Sequence, residues 1–180
     1  MLGSNRGTSQ ASHVNVRLML AFCLLVITAV VMAAILLDTI SVGFPVGPYR
    51  FSHWMTWIGS AYVAIYAPTY HVLKRRYPKS TKMLLDAHSF GFLVAFLLIS
   101  IHFAGQMSRP PQAFPDLGEG IALYVTMVLL VSTGMVQRFG TQGLKGKFYG
   151  PRTNRAVHVS LLSAFYIVIV VHALGNMGLL

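Results

Sequence analysis

The chain has 180 residues, of which 55% are hydrophobic and 10% charged, and its formal net charge is +10. This composition is too apolar for an ordinary soluble domain and is typical of a helical membrane protein. Nucleic-acid binding, which the basic charge alone would suggest, is disfavoured, because it needs basic residues interleaved with exposed aromatic residues on a folded surface. Here the basic residues instead fall between apolar stretches.

Five apolar stretches follow one another, each close to the roughly 20 residues that a membrane-spanning helix needs. They cover about residues 16–37, 53–73, 83–104, 118–137 and 156–176. The first is too long for the apolar region of a signal peptide and lacks a small-residue cleavage site after it, so we expect it to stay in the mature protein. The sequence therefore predicts an all-α integral membrane protein with five transmembrane helices. A polar N-terminal tail at 1–15 precedes a single transmembrane domain at 16–180.

The basic residues predict the orientation of these spans. Twelve of the 14 lysines and arginines fall on one side when the five spans are threaded in turn, and by the positive-inside rule that side is cytoplasmic. The N-terminus is then cytoplasmic and the C-terminus outside, in a bacterial or archaeal cytoplasmic membrane or its organellar equivalent. The cytoplasmic set is Arg6, Arg17, Lys74, Arg75, Arg76, Lys79, Lys82, Arg138, Lys145, Lys147, Arg152 and Arg155; the outer charges are Arg50, Arg109, Asp38, Asp116 and Glu119.

Two histidine pairs share an interval of 14 residues: His88 with His102 in the third span, and His158 with His172 in the fifth. Fourteen residues rise about 21 Å along a helix and return to within about 40° of the starting face. The third and fifth spans run in the same direction, so each pair has one cytoplasmic and one outer member. A single intramembrane histidine is more often a packing residue, but equal intervals on parallel spans favour ligation.

This pattern predicts two b-type haems, with all four histidines as iron ligands. His88 and His158 would hold the inner haem, and His102 and His172 the outer one. Two imidazoles fill both axial positions of each iron and leave no site for dioxygen, so the haems are suited to one-electron transfer.

Weaker signals accompany the histidines. Gly120 and Gly134 in the fourth span are also 14 residues apart, at the depths of the two haems. Glycine lets a backbone approach a flat macrocycle closely, although it is also common in plain helix packing. Basic residues near the histidines are candidates to bind haem propionates, or are simply topology or headgroup charges. They are Arg152, Arg155 and Lys82 near the inner pair, and Arg109 seven residues beyond His102.

The remaining intramembrane histidines, His53 and His71, lie in the second span. We interpret His53 as an interfacial neighbour of Trp54 and Trp57, and His71 as a helix-end residue or a propionate contact. A swap in which either of them ligates iron stays open. Asp86, two residues before His88, is expected to pair with the nearby basic cluster or to support a ligand by a hydrogen bond.

The outer loop from Gly105 to Gly120 is rich in proline. It is either an ordinary loop, a docking surface for a redox partner, or part of a quinone site in which Asp116 or Glu119 accepts protons. Its notable residues are Arg109, Pro110, Pro111, Phe114, Pro115, Asp116 and Glu119.

Several cofactors have no motif in this chain. Cys23 is the single cysteine, so there is neither a Cys-x-x-Cys-His haem attachment site nor a cysteine-ligated cluster. No Gly-x-Gly-x-x-Gly or P-loop pattern is present, so a flavin or nicotinamide would come from another chain.

The two His-x13-His patterns on alternate spans, with similarly spaced glycines on the span between, resemble the haem-binding core of the quinol-oxidising cytochrome b family. The resemblance covers about residues 53–176 and implies that spans 2–5 form a four-helix haem-binding bundle. The second span has only Gly59 where that family has a glycine pair. The histidine pairs equally resemble the membrane domain of the ferric reductase and NADPH oxidase family, which usually has six spans and a cytosolic flavin-and-nicotinamide domain.

The expected function is therefore transmembrane electron transfer, as the cytochrome b subunit of a larger redox complex. The expected cofactors are two haem b, with quinone as a further candidate, and the partners are other redox subunits, the quinone pool and the lipid bilayer. A self-contained ferric- or superoxide-type transmembrane reductase is the alternative, and an ion or proton carrier that uses intramembrane histidines is a third. The first is favoured because the chain has no electron-input domain of its own.

Overall fold

Five long helices make up most of the molecule. The structure is a computed structural model that describes residues 6–110, 118–140, 150–176 and 178–179, with side chains from residue 16 onward. The helices are α1 (Arg6–Leu36), α2 (Phe51–Arg76), α3 (Thr81–Met107), α4 (Gly118–Met135) and α5 (Pro151–Asn176). A short antiparallel hairpin, β1 (Pro45–Val46) with β2 (Tyr49–Arg50), precedes α2, and a π-helical turn at Val136–Gly140 continues α4.

Four of these helices are long and apolar enough to cross a membrane. The candidate spans are Val16–Leu36, Pro78–Met107, Gly118–Gly140 and Pro151–Gly175. This is compatible with a multi-pass membrane protein. Many large apolar side chains on α1 and α5 point outward, as they would towards lipid.

The second helix differs from the others in composition. α2 is 26 residues long, about 39 Å of helix, which is sufficient to cross a bilayer. However, it is rich in serine, threonine and tyrosine and ends in Lys74, Arg75 and Arg76, so it falls outside the candidate spans. That α2 is a fifth span stays a prediction.

Local sequence explains the turns on either side of α2. Gly47 adopts a left-handed backbone conformation, with a φ of 63°, in the two-residue turn of the hairpin, as glycine does at little cost. At the other end Pro78 follows Tyr77, and a residue before proline is disfavoured in the helical conformation. Tyr77 accordingly has φ −126° and ψ 68°, and it ends α2.

The helices pack in a defined order. α2 lies along α3, α4 lies along α5, and α1 packs against α3, which also contacts α4. The approach of α2 to α3 is close at Gly59, where an added Cβ would lie 3.0 Å from the carbonyl oxygen of Ala95. Between α5 and α2 the Tyr166 hydroxyl donates a hydrogen bond to the Val63 carbonyl at 3.1 Å. Contacts thus run from α2 through α3 and α4 to α5, and back to α2.

An apolar layer fills the middle of this arrangement, and α2, α3, α4 and α5 all contribute to it. Its buried members are Val63, Ala95, Phe96, Ile99, Met127, Leu130 and Phe165. Phe96 lies between His88 and His102 along α3, and Phe165 lies midway between His158 and His172 along α5. The apolar layer therefore separates His88 and His158 from His102 and His172.

Candidate functional site

His88 on α3 and His158 on α5 face each other at one end of the molecule. Their ring centres are 6.5 Å apart, with an angle of 75° between the ring planes. A histidine nitrogen lies about 2.0–2.1 Å from a bound metal, so two imidazoles on opposite sides of one metal have ring centres roughly 6 Å apart. The observed separation therefore suits two axial ligands of a single metal.

Nδ1 of His158 contacts a threonine side chain on α4. Nδ1 of His158 lies 2.9 Å from Oγ1 of Thr133. The Thr133 hydroxyl also lies 2.8 Å from the carbonyl oxygen of Leu129 and 3.1 Å from that of Leu130, and when it donates its one hydrogen to either carbonyl its oxygen accepts from the imidazole. The proton of His158 is then on Nδ1, and Nε2 keeps the lone pair that a metal binds.

Three tyrosines of α2 form a wall beside His88. Tyr62, Tyr66 and Tyr70 are one helical turn apart, and Tyr70 stacks on the His88 ring with centres 4.6 Å apart. The hydroxyl of Tyr62 donates to the carbonyl of Ala87 at 2.7 Å, and that of Tyr66 donates to the carbonyl of Leu84 at 3.0 Å. The regular spacing of these tyrosines is visible in the sequence, but we did not predict their contact with the histidine.

Asp86 joins three helices at the same end. Its carboxylate pairs with Arg17 of α1 at 2.7 Å and with Arg138, which follows α4. We predicted that Asp86 pairs with the cluster of Arg152, Arg155 and Lys82, whereas its salt bridges in the structure are to Arg17 and Arg138. Arg152 and Arg155, which we predicted as propionate ligands, are exposed in the first turns of α5.

The outer histidines have different neighbours. The ring of His102 lies 5.2 Å from that of His53, at 49° between planes. Nδ1 of His172 is 3.6 Å from Oε2 of Glu119, and His172 also interacts electrostatically with His102. His53 is half-buried against His102 and is therefore more than an interfacial neighbour of the tryptophans.

Four buried polar atoms cluster where α2 begins and α3 ends. They have no hydrogen-bond partner among the described residues, and they are Nδ1 of His53, Nδ1 of His102, Nε2 of Gln106 and Nε of Arg109. A buried donor without an acceptor costs about 1–3 kcal/mol, so such a group calls for a ligand or water. Burial lowers the pKa of the Arg109 guanidinium, and the charge of Arg50 lowers it further. An anionic ligand would therefore be favoured here.

The two predicted glycines differ in their surroundings. A Cβ at Gly134 would lie 3.5 Å from Cε1 of His158, so Gly134 faces the inner histidine pair. At Gly120 a Cβ would meet no described atom within 4 Å.

Some residues of the predicted outer loop and of the predicted cytoplasmic basic set lie outside the described residues. They are Pro111, Phe114, Pro115, Asp116, Lys145 and Lys147, together with the side chains of Arg6 and His13.

Within the described ranges, no three histidine, cysteine or acidic side chains lie close enough to hold a metal ion by themselves. A metal that is already held in a macrocycle needs only two ligands from the protein, because the macrocycle supplies the other donor atoms. The pair His88 and His158, with Nε2 of His158 available, fits that requirement. Nδ1 of His88 is likewise buried, with no partner in the described part of the chain.

Comparison with protein-family models, with curated proteins and with solved structures finds no match for this chain. The case for its function therefore rests on its own residues.

Proposed function

We propose that this chain is a di-haem transmembrane cytochrome b that passes single electrons across the membrane. It would act as the membrane subunit of a redox complex that exchanges electrons with a quinone pool. The observation that carries the proposal is the opposed pair His88 and His158, with ring centres 6.5 Å apart on α3 and α5. A haem held by His88 and His158 would supply a reversible one-electron iron couple.

The outer haem would be held by His102 and His172, one 14-residue interval from the inner pair. His102 and His172 lie on the same two helices as the inner ligands, so a single pair of helices would carry both haems. The unpartnered donors of Gln106 and Arg109 support an anionic group at this end, and haem propionates have that charge. His53 competes with His172 for the role of second ligand because its ring is close to His102. Against His53, α2 and α3 pack closely at Gly59, which leaves little room for a macrocycle between these helices.

Optical spectroscopy of the purified full-length chain tests the cofactor. We expect a low-spin b-type α band in the dithionite-reduced minus oxidised spectrum, and two haems per chain by pyridine haemochrome assay. A chain that is folded in detergent and contains no haem would overturn the proposal.

Single histidine substitutions test the assignment of ligands. His88→Ala or His158→Ala is expected to remove the inner haem alone, and His102→Ala or His172→Ala the outer one alone, with about half the haem content left. His71→Ala is the matched control, because His71 is exposed near the end of α2 and both haems should remain. Loss of the outer haem in His53→Ala, with its retention in His172→Ala, would reassign the outer ligand to α2.

Isolation from native membranes tests the role as a subunit. A redox complex predicts that other redox proteins co-purify with the chain and that added quinol reduces its haems. A solitary chain that reduces ferric chelates or dioxygen unaided would favour the self-contained reductase instead.

A further inference from the structure

We propose that Thr133 is a positioning residue that fixes the tautomer and ring orientation of His158. This inference rests on the proposed ligation of the inner haem by His158. It assigns a role in tuning that haem to a side chain on α4, which contributes no axial ligand.

The hydroxyl of Thr133 lies within hydrogen-bonding distance of the His158 ring. Oγ1 of Thr133 is 2.9 Å from Nδ1 of His158, 2.8 Å from the carbonyl oxygen of Leu129 and 3.1 Å from that of Leu130. We infer that the hydroxyl donates its one hydrogen to these carbonyls of its own helix, which makes its oxygen the acceptor for Nδ1–H of the ring. The carbonyl of Leu130 is a second acceptor near the same ring, which supports the same tautomer.

The position of Thr133 is itself fixed from α5. Asn154 is fully buried, and its Nδ2 donates to the carbonyl of Thr133 at 3.0 Å and to Oε1 of Gln137 at 2.9 Å. Asn154 is one helical turn before His158, so both residues lie on the same face of α5. α4 is thereby held to α5 at two successive turns, once through Asn154 and once through His158. The attachment extends from Thr133 into the π-helical turn Val136–Gly140, which contains Gln137 and where the regular hydrogen bonding of α4 changes.

Such a hydrogen bond changes the electronic character of the ligand. An imidazole that donates its Nδ1 proton to an acceptor becomes a more basic ligand at Nε2, and a more basic ligand favours ferric over ferrous iron. Loss of the Thr133 acceptor should therefore raise the midpoint potential of the inner haem. A tenfold change in the ferric-to-ferrous preference corresponds to about 59 mV for a one-electron couple. We expect a shift of that order or smaller, because the Leu130 carbonyl remains.

The test compares Thr133→Val, which removes the acceptor, with Thr133→Ser, which keeps it. Thr126→Val is the matched control, because Thr126 is also on α4, is half-buried, and donates to the Ala122 carbonyl at 2.8 Å. The readouts are the potentiometric midpoints of both haems and the g values of the ferric low-spin signals. The inner haem is the component that survives His102→Ala.

We expect Thr133→Val to raise the inner midpoint and shift the inner g values, while the outer haem, Thr133→Ser and Thr126→Val all match the parent. Unchanged inner signals in Thr133→Val would overturn the inference. If the Thr133→Val protein does not bind haem, Thr133→Ala removes the same hydroxyl with a smaller side chain and repeats the test. Equal loss of both haems in both variants would show that Thr133 has a purely structural role and would overturn the inference. A parent protein that binds no haem would instead overturn the proposed function itself.

Discussion

At the residue scale, Gly91 shows how closely the wall beside the inner histidines is fitted. A Cβ at Gly91 would lie 1.9 Å from the hydroxyl oxygen of Tyr62, so Gly91→Ala must displace that tyrosine. The hydrogen bond from Tyr62 to Ala87 would then be lost, which costs about 1–2 kcal/mol. We expect a lower apparent melting temperature in detergent.

Gly120→Ala is the control for this substitution, because no described atom lies within 4 Å of the added carbon. It should be tolerated, or slightly stabilising, since alanine is the better helix former by up to about 1 kcal/mol. Equal melting temperatures for the two variants would contradict the close contact of Gly91 with Tyr62.

Arg109 carries a second residue-scale prediction, about the outer end. Its Nε is buried without a partner in the part of the chain that the structure describes, and it lies seven residues after His102. Arg109→Gln removes a positive charge from that site and should weaken retention of the outer haem about tenfold, within the range seen for groups that support a metal centre. Haem content after gel filtration measures this, with Arg50→Gln for comparison, because Arg50 is exposed. Full retention of haem in Arg109→Gln would show that Arg109 does not contribute to binding the outer haem.

Sequence reasoning could predict that His88 and His158 lie at the same end of the molecule, but not most of their neighbours. The interval from His88 to His102 repeats from His158 to His172, and a periodic signal of this kind needs no knowledge of packing. The contact of Thr133 with His158 joins different helices, as does that of Tyr70 with His88. Such partners depend on which helices are adjacent and how each is rotated, which one sequence does not determine.

At the scale of elements, Asp86 on α3 connects to α1 through Arg17 and to the end of α4 through Arg138. Asp86→Asn removes the charge that both arginines share. We expect a loss of about 1 kcal/mol, because each pair is partly exposed and isolated exposed pairs contribute little. The apparent melting temperature should fall by about 2–4 °C.

Asp38→Asn is the matched control for the Asp86 substitution. Asp38 is exposed after α1 and has a φ of 55°, a left-handed conformation that asparagine also tolerates. Its melting temperature should equal that of the parent. A similar fall for both variants would show a general effect of charge loss.

The bounds of the helices were predictable at their apolar parts and less so at their polar ends. The fifth stretch was predicted at 156–176, and α5 begins earlier, at Pro151, because proline suits the first turn of a helix. α1 begins at Arg6, so helix extends into the stretch predicted as a polar tail. The hairpin before α2 was not predicted, although Gly47 followed by Pro48 is a recognisable turn signal.

At the scale of the whole molecule, the distribution of basic residues predicts which loops face the cytoplasm. In a Cys23→Ser background, the cysteine introduced by Lys79→Cys should react with a membrane-impermeant maleimide only after the cells are opened. The cysteine introduced by Thr39→Cys, in the loop after α1, should react in intact cells or spheroplasts. These two positions also test whether α2 crosses the membrane, because α2 lies between them. Labelling of both from the same side would contradict the fifth span.

The apolar layer around Phe96 and Phe165 has a consequence for energetics. Its buried members in the described part of the chain are all apolar. In the proposed function an electron crosses this layer between the two histidine pairs. Moving one elementary charge through a membrane potential changes its free energy by about 2.3 kcal/mol per 100 mV. The distribution of electrons between the two proposed haem sites should therefore depend on the membrane potential as well as on the midpoint potentials of the haems. A change in membrane potential would redistribute electrons between the two sites.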